Sequence, residues 1–213
     1  MSQVFKDATP AQQKQLQKEY RDFGILDKWH DKTWADFTND ARAKDIIQSY
    51  LKDPKKPLSD GVGLFLSGQN GVGKTLLLNL AFQDLYHKGY KVKIISMSGL
   101  ITLFAGGWYD VEDRRTLIQI MQKVQFLGIE EIGKEFKPGG TDLGLTVFDN
   151  VLRQRVQMKK PTWFTTNKKD VEITDIYSED IASMLRESCL SVAVTGKDYR
   201  KTIASEIKEK YKI

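Results

Sequence analysis

The sequence predicts an α/β fold, a five-stranded parallel sheet covered by helices on both faces in a three-layer sandwich. Three observations predict it. Short apolar runs alternate with amphipathic stretches along most of the chain. A glycine-rich loop carrying lysine joins the first run to the first long helix, in "GLFLSGQNGVGKTLLL". A later apolar run ends in two carboxylates, in "VQFLGIEEIG".

Taken in order, residues 10–22 open with Pro10 and continue with good helix formers, anchored by Leu16 and Tyr20. Residues 24–38 mix aromatics with charge and read as an irregular segment packed on something. A helix capped by Asn39 or Asp40 runs to Leu51, and 52–61 reads as a surface loop. The strands are expected at 63–67, 91–96, 124–129, 161–166 and 189–194. Helices fall between them at 74–89, at 98–122 in two segments broken near "GGWYD", at 142–159 and at 178–187. This divides the chain into an N-terminal segment (1–38) that could dock a partner, a core (39–196) and a basic tail helix (197–213). With so little sequence after the last strand, no separate helical lid is expected.

Composition bounds the rest. With 213 residues, 40% hydrophobic and 29% charged, the chain is ordinary for a globular protein with a real core. A net charge of +5 permits contact with nucleic acid without requiring it. A single cysteine, Cys189, excludes an internal disulfide, and two histidines, His30 and His87, argue against a structural zinc. The sequence has neither a signal pattern nor the ~18 apolar residues of a membrane span, so a soluble, cytoplasmic protein is expected.

"GQNGVGKT" at 68–75 fits the phosphate-loop pattern in full and lies between a strand and a helix, as the chemistry needs. Gly68, Gln69, Asn70, Gly71, Val72 and Gly73 turn backbone N–H groups around phosphate oxygens. Lys74 reaches the outer phosphates, Thr75 offers a hydroxyl to Mg²⁺, and Leu76 continues the helix whose N-terminus favours the anion. The chemistry is that of a nucleoside triphosphate. At the acidic strand end, Glu130 is placed to hold Mg²⁺ and Glu131 to polarise the attacking water. A base directly after the metal-side carboxylate is a feature of ring-forming ATPases.

"TTNKKD" at 165–170 admits two readings. As N-K-x-D it would recognise guanine in a GTPase; as a lone Asn at a strand end it would sense a γ-phosphate. Only 33 residues, 134–166, separate N-K-K-D (167–170) from "EEIG", room for one helix and one strand, and a GTPase needs more. Asn167 is therefore read as the sensor, with Lys168, Lys169 and Asp170 as loop residues. Arg186, at a helix end before the last strand, is placed where ring ATPases direct an arginine at the neighbouring subunit's γ-phosphate. Arg200 in "TGKDYR" is a further candidate for phosphate within the subunit.

The ordered set "TWADF", "GQNGVGKT", "LGIEEIG", "FTTN" and "GKDYR" resembles the AAA+ helicase loaders of the DnaC/DnaI type and the related IstB-type transposition helper ATPases. The resemblance spans about Trp34 to Arg200. It implies ATP and Mg²⁺ as ligands and assembly into a homo-oligomer when ATP is bound. A replicative DNA helicase and single-stranded DNA are the implied partners, with hydrolysis accompanying release. Glu130 stands where the family usually has Asp, and the N-terminal segment is shorter than a full helicase-binding domain. The resemblance also puts the helical insert before the acidic strand against single-stranded DNA, with Arg114, Arg115, Trp108 and Tyr109 as candidates. Leu100, Leu103 and Phe104 at helical spacing read equally as core. Lys134 and Lys137 are a second option for DNA, and Lys159 and Lys160 read as a helix end. A transposition helper acting on duplex DNA, a GTPase switch and a small-molecule phosphotransferase stand as alternatives.

Overall fold

The structure, a computed structural model, describes residues 3–134 and 143–211. Two helices, α1 (Gln3–Asp7) and α2 (Pro10–Asp22), lead through 3-10 turns at Asp27–Trp29 and Trp34–Asp36 to α3 (Ala41–Lys52) and α4 (Lys55–Asp60). Then come β1 (Gly63–Ser67), α5 (Lys74–His87), β2 (Val92–Ser96), α6 (Met97–Gly106), α7 (Val111–Gln122) and β3 (Phe126–Glu130). The chain finishes with α8 (Leu143–Gln157), β4 (Thr162–Thr166), α9 (Asp170–Tyr177), α10 (Glu179–Ser188), β5 (Cys189–Ala193) and α11 (Tyr199–Tyr211).

All neighbouring strands pair in parallel, in the order β2-β3-β4-β1-β5. Both faces of the central strands β1, β3 and β4 are covered, which is why they are buried almost throughout, while the edge strand β5 exposes Leu190, Ser191 and Ala193. Leu64 and Leu66 of β1 join one core with Ile47, Leu77, Phe82 and Trp163, while Phe65 points the other way, toward Leu127, Ile129, Phe148 and Phe164. Strand β4 lies between β1 and the acidic strand β3. The guanine reading of "NKKD" would need β3 beside β1, so the topology does not accommodate it.

Several elements differ from the sequence expectations. Residues 55–60, expected as loop, form α4 because Pro54 starts the turn and Gly61, with φ of 78°, ends it. Asp40, not Asn39, caps α3 by accepting from the Ala43 N–H. Asp170 opens α9, a helix missing from the expectation, while Lys168 and Lys169 lie in the loop before it as expected. The N-terminal segment is also part of the main core. Phe5, Tyr20, Ile25 and Phe37 bury in the same cluster as α5, and the Phe23 carbonyl accepts from Ile94 N–H at 2.6 Å. That bond covers the otherwise open edge of β2.

Candidate nucleotide-binding site

The loop 68–73 leaves β1 at its carboxyl end and turns directly into α5. Gly71 and Gly73 hold left-handed backbone, at φ of 79° and 101°. Neither has room for a Cβ. At Gly71 it would fall 1.6 Å from Asp198 Oδ1, and at Gly73 2.8 Å from the Phe37 ring, with the Tyr199 ring at 3.6 Å. The loop is therefore walled by two segments far from it in sequence. Tyr199 N–H donates to Gly71 O at 3.0 Å. Asn39 Nδ2 donates to Val72 O at 3.2 Å and Lys197 O at 2.7 Å. Thr38 N–H donates to Tyr199 Oη at 2.9 Å.

Lys74 donates to the carbonyls of Gly68, at 2.6 Å, and Gln69, at 2.7 Å. Burial lowers its pKa to about 8, the nearby Lys134 and Arg200 lower it further, and Glu131 opposes them. Three cations thus crowd one phosphate loop, and an anion placed among them would relieve their repulsion. Lys134, considered in the sequence for DNA, instead pairs with Glu131 at 3.1 Å. Lys137 lies outside the described residues.

Glu130 closes β3, and Asn167 follows the last residue of the adjacent β4. Each carries a buried side-chain oxygen, Oε1 and Oδ1, with no hydrogen-bond partner among the described residues. Burial raises the Glu130 pKa; a hydrogen bond with the Thr75 side chain pulls it back, and the Glu131 carboxylate pushes it further up. Thr75 and Glu130 therefore stand together, across α5 and β3. Glu131 has φ of 62°, a left-handed position that costs a non-glycine residue energy. It is held there by its N–H, which donates to Thr165 Oγ1 at 3.1 Å. Thr166 Oγ1 donates to Ile132 O at 2.8 Å, so the two threonines of "FTTN" fasten the acidic turn to β4.

These oxygens fit a hydrated divalent cation. They are hard acceptors without donors, on two adjacent strand ends, and the Glu130 carboxyl also bonds the phosphate-loop hydroxyl of Thr75. Residues outside the sequence-derived candidates that border the site are Phe37, Thr38, Asn39, Thr165, Asp198 and Tyr199. "TWADF" and "GKDYR" were signals for some of them, but their meeting across about 160 positions of chain is visible only in three dimensions.

The remaining candidates lie elsewhere. Arg186 is exposed and pairs with Glu179. It lies three residues before Cys189, which opens β5, and lines a hollow with Phe65, Ile173 and Ser191. Arg200 lies on the first turn of α11, exposed, near enough to Lys74 to depress its pKa. Trp108 and Tyr109 are exposed at the α6–α7 turn, at 59% and 90%. Arg114 turns back to the Gly107 carbonyl, and Arg115 pairs with Glu112. Leu100 is buried, and Leu103 and Phe104 pack against the core.

Sheet order, phosphate loop and flanking strand ends together define a P-loop NTPase fold of the AAA+ type. No family model matches the sequence, and no curated protein matches it. Solved structures do match the fold. The crystal structure of the DnaC helicase loader superposes with a TM-score of 0.69 at 17% identity, over 80% of this chain and 100% of that one. The crystal structure of DnaI gives 0.63 at 22% identity, over 78% and 89%. The replication initiator DnaA bound to AMPPCP and single-stranded DNA gives 0.66 at 16% identity, over 89% of this chain and 57% of that one.

Proposed function

We propose that this chain binds ATP with Mg²⁺ at the phosphate loop, hydrolyses it when assembled with further copies, and acts in replication initiation as a helicase loader on single-stranded DNA. The observation that carries the ATPase reading is the pair of buried, unpartnered oxygens of Glu130 and Asn167 flanking the phosphate loop. Unmade hydrogen bonds cost about 1–3 kcal/mol each. A site that leaves two acceptors so placed is built for something that supplies cation and donors. The loader reading is supported by the fold shared with DnaC and DnaI.

In this reading the loop N–H groups and Lys74 hold the phosphates, and Lys74 exchanges its bonds to Gly68 and Gln69 for phosphate oxygens. Phe37 and Tyr199 border the nucleoside end. Mg²⁺, held by Thr75 and through water by Glu130, would offset negative charge on the outer phosphates. Glu131 takes the proton of the attacking water as its oxygen bonds to the γ-phosphorus and the β–γ bridging oxygen leaves. Asn167 orients that water. Arg186 acts on a neighbouring subunit's phosphate, and Arg200 adds charge in its own site. Trp108 and Tyr109 offer stacking surfaces to single-stranded DNA, worth about 1–3 kcal/mol per base.

The test is size-exclusion chromatography with the replicative helicase from the same source, with and without MgATP. ATP-dependent co-elution is expected. Free elution under both conditions would refute the loader reading. ATP binding is read separately with a fluorescent ATP analogue and its loss in Lys74→Ala.

A further inference from the structure

The end of the sheet opposite the phosphate loop carries a second surface, assembled from lysines. Strand β1 is entered past Lys52, Lys55 and Lys56, β2 past Lys88 and Lys91, β3 past Lys123, and β4 past Lys159 and Lys160. These four strands are consecutive in the sheet, in the order β2-β3-β4-β1. At ~4.8 Å per strand the row is about 14 Å long before side chains extend it.

Contacts between the loops make the row continuous. Lys88 Nζ donates to the Leu51 carbonyl beside Lys52. Lys91 N–H donates to Gln125 Oε1 at 2.8 Å, next to the β3 entry. Lys123 and the buried Arg155 are close enough to Lys160 to lower its pKa after burial has done so. Gly61, at the end of α4, lies so close to Lys159 that a Cβ on it would be 2.7 Å from the Lys159 Cα.

The charge of this row is only slightly offset. The entry segments hold eight lysines against two aspartates, Asp53 and Asp60, a balance of +6 when the whole chain carries +5. The rest of the sequence therefore sums to −1, and the excess that makes the protein basic is concentrated at one end. Seven of the lysines are exposed and Lys160 is half-buried. Among the described residues, none of the eight makes an ion pair. Arg155 adds a cation beneath them, bonded to carbonyls and a threonine hydroxyl.

The chemistry of the row selects its partner. Protein interfaces are anchored by aromatic and apolar side chains and are depleted in lysine. Among the described residues of these entry segments, the exposed large apolar side chain is Met158, and there is no exposed aromatic on which a single-stranded base could stack. Mobile ammonium groups without planar partners suit a dense line of phosphates, and duplex DNA presents one charge per ~1.7 Å of its axis. We infer that the lysine-bearing end of the sheet is a docking surface for the backbone of duplex DNA, independent of sequence and on the opposite end from the nucleotide site. The inference stands apart from the proposed ATPase and loader activity.

The test uses nucleotide-free full-length protein and a fluorescein-labelled 20-base-pair duplex, by anisotropy between 50 and 200 mM NaCl. With about six phosphates neutralised, affinity should fall on the order of 10³-fold over that range. Lys56→Gln/Lys123→Gln/Lys159→Gln/Lys160→Gln should fall only about tenfold over the range and bind on the order of 10⁴-fold more weakly at 50 mM, the gap narrowing as salt rises. Binding of the fluorescent ATP analogue should be unchanged in the variant. The same four positions changed to Arg should restore duplex binding. Wild-type affinity and salt slope in the glutamine variant would overturn the inference, as would failure of the arginine variant to restore binding. Tighter, equally lysine-dependent binding of a single strand of the same length would overturn the duplex assignment. Equal displacement by polyglutamate would overturn it as well.

Discussion

Replacing Asn167 by Leu should make the nucleotide-free protein more stable while removing its ATPase activity. Asn167 Oδ1 is buried at the end of β4 without a hydrogen-bond partner among the described residues. Such an acceptor costs about 1–3 kcal/mol, and leucine has the same branching, with larger methyl groups and no acceptor to satisfy. After some loss of fit, a net gain of about 1 kcal/mol is expected, or roughly 2–4 °C in melting midpoint for a domain of this size. Removing one preorganised group that acts only on the reacting centre costs on the order of 10²–10³ in kcat. The assay is a thermal melt with and without MgATP beside steady-state phosphate release. The midpoint without nucleotide should rise, the shift produced by MgATP should shrink, and turnover should collapse. Asn167→Asp, which adds a carboxylate near Glu130 and Glu131, should lower the midpoint instead. An unchanged or lower midpoint in Asn167→Leu together with normal turnover would refute the reasoning, because the orphaned oxygen would then be neither strained nor functional.

Four other outcomes can be checked on the same preparations. Glu131→Gln should bind the fluorescent ATP analogue with near wild-type affinity and lose hydrolysis by two or more orders of magnitude; normal phosphate release would exclude Glu131 as the base. Arg186→Ala should lose turnover only in the assembled protein, by on the order of 10³-fold, and an equal loss in a verified monomer would rule out action across subunits. Arg155 is fully buried and donates to five main-chain carbonyls, those of Ile120, Met121, Val124, Gln125 and Pro161, so Arg155→Met should destabilise in a denaturant melt by about 1–3 kcal/mol for each carbonyl left unpaired. His87 meets Tyr20 Oη at 2.7 Å, and burial lowers its pKa, with Asp84 and Glu19 opposing. Its folded-state pKa thus lies below the unfolded value of about 6.5. The stability it contributes is therefore full above about pH 6.5 and declines as pH falls through the folded pKa. His87→Phe should flatten that part of the stability–pH curve.

Much of the fold could be read from local pattern. Strands β1 and β4, helix α2 and the break between α6 and α7 fall where apolar runs, Pro10 and "GGWYD" put them, because each signal is contiguous in the chain. The expected strand "VQFLGI" starts two residues later at Phe126 and runs through Glu130, since pairing with β2 sets its ends. Helices α4 and α9 went unread: one is a single short turn hidden among lysines and prolines, and the other begins inside a motif interpreted for its chemistry. Residues 24–38 read as a segment packed on something, and Ile25 and Phe37 do bury in the cluster that holds α5, but the sequence did not show against what. Burial of scattered single aromatics has no period to reveal it.

By itself the sequence determined the phosphate loop, the alternation of strands and helices, and the carboxylates and amide that end two of the strands. These depend on residues adjacent in the chain, whose backbone geometry and periodicity are local properties. Tertiary structure decided which of those ends meet and what else meets them. The order β2-β3-β4-β1-β5 sets Asn167 beside Glu130, brings Thr38 to Tyr199 and Lys134 to Lys74, and gathers lysines from four separate loops into one row. Neither neighbourhood has a sequence signature, because a parallel sheet aligns every strand's exit at one end and every entry at the other, however far apart those residues lie along the chain.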